Sequence, residues 1–163
     1  MLAFETAIGT CGVEWSETGI TRIHLPGPRV HGAEPEPPRP VRAVIEGMVA
    51  LLAGERRGLT RVVLDERGID PFRRAVFAAT RAIGPGTTAS YGEIAHAIGA
   101  PGAARAVGAA LGSNPFPIVV PCHRILAADG ALTGFSARGG ITTKRRMLEI
   151  EGAPGFTQEA LFA

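Results

Sequence analysis

The chain has 163 residues, 45% of them hydrophobic and 20% charged, which is enough to bury one sizeable core or two small ones and too apolar for a disordered chain. No run reaches the roughly 18 apolar residues of a membrane span, and the N-terminus lacks the basic start and apolar stretch of a signal peptide, so a cytoplasmic protein is expected. The net charge of +2 conceals a split: residues 1–70 carry eight basic and ten acidic side chains, residues 71–163 nine and five, and the second half is the candidate for meeting a polyanion.

Residues 2–25 alternate apolar and polar side chains, with a turn at Glu17-Thr18-Gly19 before Ile20, which predicts a hairpin. Six prolines between Pro26 and Pro40 make that stretch a loop. Val41, Val44, Ile45, Met48, Val49 and Leu52 recur at helical spacing until Gly54, and Arg61 to Asp65 returns to strand character. A small sheet with one helix on it is therefore expected to end near residue 67.

Asp70 then reads as an N-cap with Pro71 at the first helical position, and Phe72, Val76, Ala79 and Ile83 lie on one face. Ser90-Tyr91-Gly92-Glu93 has the Ser and Glu spacing of a capping box and opens a short helix that Gly99 closes. Pro101 is expected to start the next helix, almost entirely Ala, Gly and Val through Leu111 with Arg105 as its only charge. Two short helices joined by a tight glycine-containing turn outline a helix-turn-helix. A helix bearing small side chains can lie deep in a nucleic-acid groove, where the projecting Arg105 would reach the base stack. Close packing of two helices explains the same pattern without any ligand.

Pro121-Cys122-His123-Arg124 follows the apolar run Ile118-Val119-Val120, expected to be a buried strand. A thiol becomes a nucleophile as thiolate, and an adjacent imidazole can take its proton directly or through one water. The alternative is an inert, space-filling cysteine, against which His123 and Arg124 stand as poor choices for an apolar pocket. Cys11, His24 and His31 match no metal-ligand spacing, and with two distant cysteines neither a metal, a cofactor nor a disulfide is expected.

Phe72-Arg73-Arg74-Ala75-Val76, Thr88 to Ala95, Ala103-Ala104-Arg105-Ala106-Val107-Gly108, Asn114 to Arg124 and Glu151-Gly152 together resemble, in order, the motifs of the methylated-DNA-protein-cysteine methyltransferases, suicide repair proteins for 6-O-alkylguanine. The resemblance covers residues 70–152; the first 67 residues are similar only in outline. It implies an α/β (α+β) protein with a small ribonuclease-H-like sheet-plus-helix domain over 1–67. A mainly helical, winged-helix-like domain with the helix-turn-helix would follow over 68–155, then a tail over 156–163. The implied partner is double-stranded DNA containing 6-O-alkylguanine, bound by a monomer.

By the same resemblance Cys122 takes the alkyl group, His123 deprotonates it through a water, and Glu151 orients the imidazole and favours its charged form. Asn114 would hold the backbone around Cys122, and Arg124 would serve that scaffold or contact phosphate. Arg105 would fill the space left by a flipped nucleotide, Tyr91 would crowd the neighbouring phosphate, and Ala103, Ala104 and Gly108 would let the helix settle in the minor groove. Tyr91, Pro117, Phe135 and Ser136 would line the substrate pocket. Phe135 departs from the tyrosine of many relatives, and the loop Gly134 to Gly140 is slightly long. A DNA-binding module without turnover and a cysteine hydrolase are the competing readings, the second lacking any signature of its own.

Overall fold

The computed structural model describes residues 1–32, 36–133 and 139–157. Alternation in the first 25 residues produces three antiparallel strands, β1 (Leu2–Thr6), β2 (Gly9–Trp15) and β3 (Ile20–His24), in the order β1-β2-β3. Their inward side chains, Cys11, Val13, Ile20 and Ile23, are buried. Helix α1 (Arg39–Leu52) lays Val41, Val44, Met48 and Leu51 on the core. It begins inside the proline stretch expected to be all loop, because Pro40 falls in the first turn, where a missing N–H costs nothing. The expected strand at 61–65 reduces to one parallel bridge, Ile20 to Leu64.

Helix α2 (Pro71–Arg81) starts as its sequence dictates, with the Asp70 carboxylate accepting the Arg73 N–H at 2.9 Å. Strand β4 (Ala89–Ser90) leads directly into α3 (Tyr91–Ala97), and the capping box forms in full: Glu93 N donates to Ser90 Oγ and Ser90 N to Glu93 Oε2. Helix α4 (Ala104–Gly112) begins three residues later than Pro101 suggests, since Gly102 adopts φ 87 and keeps Pro101 in the turn. A single 3-10 turn, Cys122–Arg124, precedes β5 (Ile125–Leu126), which pairs in parallel with β4. Helix α5 (Ile141–Glu151) ends at Gly152 in the left-handed conformation.

The architecture is thus mixed α/β, with five helices, a three-stranded sheet and a two-stranded parallel pair among the described residues. One buried cluster runs from Cys11 and Met48 through Phe77 and Val107 to Val120 and Met147, joining both halves of the chain. The backbone crosses between them too, where Ile23 N donates to Pro115 O at 2.9 Å. No described helix is long and apolar enough to cross a membrane.

Candidate active site

The residues before Cys122 are buried as expected but form a knot of turns, not a strand. Asn114, just past α4, fixes it from both ends of its amide: Nδ2 donates to Val120 O at 2.9 Å, and Oδ1 accepts Phe116 N–H at 2.8 Å. Val120 N in turn donates to Phe116 O, and Cys122 N to Val120 O at 2.7 Å. Inside the knot Ile118 has φ 76, a costly conformation for a β-branched residue, held by burial of its side chain to 1%. Phe116 meets the ring edge of Phe77 on α2 at 6.3 Å, so the loop rests on the same helix face that Val76 anchors.

Cys122 is half-buried at the head of the 3-10 turn, and burial raises its thiol above the ordinary value. The Asn114 side chain, the Lys144 charge and the local backbone N–H groups oppose that rise by favouring thiolate. The next side chain, His123, is wholly buried and pairs through Nε2 with Glu151 Oε1 at 2.8 Å, whereas its Nδ1 has no hydrogen-bond partner among the described residues. Burial lowers the His123 midpoint and outweighs the upward pull of Glu151, with Arg124 and Lys144 adding to the lowering. With its midpoint lowered the imidazole is neutral near pH 7, although Glu151 itself pulls toward the charged form as expected; Nε2–H donates to the ionised Glu151 and Nδ1 keeps a free lone pair.

Glu151, the last residue of α5, is held in an ionised state. Burial would raise its carboxyl, but hydrogen bonds and charge from His123 and Arg124 hold it at about 2. Of the two places expected for Arg124, the scaffold and a DNA phosphate, its side chain takes the first: it is 5% exposed, with Nε on Glu151 Oε2 at 2.9 Å, Nη2 on Oε1 at 2.7 Å and Nη1 on Ile83 O at 2.7 Å. Each of its three nitrogens makes a bond inside the protein and the side chain is buried, so it belongs to the scaffold, which corrects the expected DNA contact.

Lys144 on α5 was not foreseen, because a lysine among polar neighbours in a helix reads as surface. It is 1% exposed, donates to Ile125 O at 2.6 Å and Thr133 O at 3.2 Å, and stands over the Tyr91 ring. The Tyr91 hydroxyl accepts from Thr133 Oγ1, and a Cβ at Gly108 would lie 3.9 Å from the same ring, so β4-β5 pairing brings α3, α4 and the cysteine loop together. Arg105 is exposed near the start of α4, with Ala103 and Ala104 half-buried beside it, and Pro117 is half-buried in the knot. Phe135 and Ser136 lie outside the described residues. A cleft of about 1170 Å³ lined by Trp15, Ile20, Val41, Val44 and Leu59 holds none of the expected site residues.

Residues 71–153 match the family model described as the DNA binding domain of 6-O-methylguanine DNA methyltransferase. Over 116 residues, 71% of this chain and 68% of the relative, the sequence is 49% identical to a methylated-DNA-protein-cysteine methyltransferase of Mycolicibacterium paratuberculosis. The chain belongs to the methylated-DNA-protein-cysteine methyltransferase family. Among solved structures, the Mycobacterium tuberculosis OGT in complex with DNA is 39% identical and superimposes with a TM-score of 0.76, covering 99% of this chain and 98% of that one. The 6-O-methylguanine-DNA methyltransferase of Pyrococcus kodakaraensis is 27% identical with a TM-score of 0.69, over 93% of this chain and 98% of that one. Membership in this methyltransferase family makes Cys122, in the loop that Asn114 ties, the reading to test as acceptor.

Proposed function

We propose that the protein repairs DNA by moving the alkyl group of 6-O-alkylguanine to Cys122, once per molecule. The observation that carries this reading is the buried imidazole with Nε2 on Glu151 and Nδ1 unpaired, next in sequence to a half-open thiol. The Cys122 S–H proton passes through a water to Nδ1, with Nε2–H held by Glu151. The thiolate forms an S–C bond to the alkyl carbon as the C–O bond breaks, its electron pair leaving with guanine, which is then protonated by the imidazolium or by solvent. The product thioether is not a leaving group, so the acceptor is consumed.

The target must leave the helical stack, at about a few kcal/mol for a weakly paired base. Arg105, exposed on a helix of small residues, is suited to fill the gap, with Ala103, Ala104 and Gly108 against the minor groove. Tyr91 beside the phosphate, with Pro117, Phe135 and Ser136 around the base, completes the pocket in this reading. Double-stranded DNA as partner draws support from the DNA complex of the tuberculosis relative. We read residues 1–67 as a ribonuclease-H-like domain, 68–155 as a winged-helix-like domain and 156–163 as a tail, in a cytoplasmic monomer without a cofactor.

Intact-mass spectrometry with peptide mapping, after mixing with a duplex carrying one 6-O-methylguanine, is the test. One methyl group on Cys122 and no more with excess duplex is expected; a bound but unmodified protein would mean a binding module instead. Cys122→Ala should abolish transfer and keep DNA binding, and Arg105→Ala should weaken capture of the lesion.

A further inference from the structure

Glu151 accepts from two side chains on one carboxylate, the His123 imidazole and the Arg124 guanidinium, and the division of labour between them is uneven. Oε1 accepts from both His123 Nε2 at 2.8 Å and Arg124 Nη2 at 2.7 Å. Oε2 accepts from Arg124 Nε at 2.9 Å and from the Gly86 N–H at 3.4 Å. The guanidinium is pinned from behind by Ile83 O, so its position does not depend on the imidazole. All three side chains are 5% exposed or less, where charges act on one another more strongly than at the surface.

A lone buried carboxylate 2.8 Å from an imidazole stabilises imidazolium strongly, because opposite charges at that range favour the charged form. An imidazolium has no lone pair at Nδ1 and cannot accept a thiol proton. We propose that Arg124 is a positioning residue whose fork on Glu151 offsets the carboxylate charge and so helps burial to leave His123 neutral, with Nδ1 open as an acceptor at neutral pH. The groups facing His123 are Glu151 and Lys144 on α5, with Cys122 and Arg124 in its own turn. Lys144 is anchored on Ile125 O and Thr133 O and makes no bond to Glu151, so neutralising the carboxylate falls to Arg124. Glu151 then orients the ring without trapping its proton. This inference rests on the reading of His123 as the base for Cys122.

The test follows the His123 imidazole by NMR titration in the DNA-free protein, for wild type, Arg124→Gln, and Arg124→Gln combined with Glu151→Gln. Wild type should titrate below 6.5. Arg124→Gln should raise the midpoint by at least about one unit, a tenfold loss of neutral imidazole on the acid side. The double variant buries no unpaired charge at this site and should return to within about half a unit of wild type, since both charges have gone together. An unchanged midpoint in Arg124→Gln would overturn the inference. Where that variant does not fold, the double variant decides by itself: if Arg124 were only structural, losing Glu151 would drop the midpoint by a unit or more. Single-turnover methyl transfer measured against pH on the same proteins separates the two claims. No methylation of wild-type Cys122 would sink the functional reading, whereas transfer slowed equally at every pH in Arg124→Gln would sink only the role given to Arg124.

Discussion

Glu151 ties the stability of the protein to pH. Its carboxyl sits at about 2 in the folded chain against an ordinary 4.5, so its contribution is fully present above about 4.5 and is lost as pH falls toward 2. The shift corresponds to about 3 kcal/mol. His123 acts in the same direction from a higher pH: its folded midpoint is lowered, so below about 6.5 the unfolded chain takes a proton that the buried ring resists. Urea midpoints measured from pH 7 to pH 2 should therefore fall in two stages. Glu151→Gln should cost about 3 kcal/mol at pH 7, by stranding buried Arg124, and should flatten the decline below pH 4.5. Cys122 beside His123 was legible in the sequence as adjacent chemistry, and Asn114 only through the family resemblance. The pairing of Arg124 with Glu151, 27 residues apart, was not, and neither was the burial of Lys144, since only tertiary packing creates either.

Helix ends are the elements that aim this site. Ser90 ends β4 and caps α3, so the pairing of β4 with β5 sets where Tyr91 stands relative to the cysteine turn. At the other end of the site Gly152 stops α5 immediately after Glu151 with φ 67, and nothing lies within 4 Å of the place a Cβ would take. Gly152→Ala therefore meets backbone strain alone, and should cost about 1 kcal/mol in urea unfolding at pH 7. Caps at Asp70 and Ser90 were readable because their bonds span three residues. The run at 118–120 was misread as a strand because burial, supplied by Phe77 and the rest of the core, holds Ile118 where its own preference would not. Helix α4 was placed too early because Pro101 suits either a helix start or a turn, and Gly102 decides for the turn.

Across the whole molecule, the two halves that composition separates share one core. Arg81 on α2 reinforces it by donating through Nη2 to the carbonyls of Leu59, Thr60 and Val62, and Arg56 reaches from the first half to Pro85 O. Calorimetry should show one cooperative transition, with two resolved transitions as the contrary result. Residues 71–157 expressed alone should lose cooperative unfolding, because the buried cluster that includes Phe77, Val107 and Val120 would lose its members in the sheet and α1. Sequence patterning shows which faces are apolar within each half, but not that those faces meet. The bond from Ile23 N to Pro115 O has a consequence of its own. That amide sits in the sheet, yet its acceptor belongs to the loop that leads from α4 to Cys122. Its exchange with deuterium is thus a clock for the opening of the loop before Cys122, readable from the far half of the chain with no DNA present.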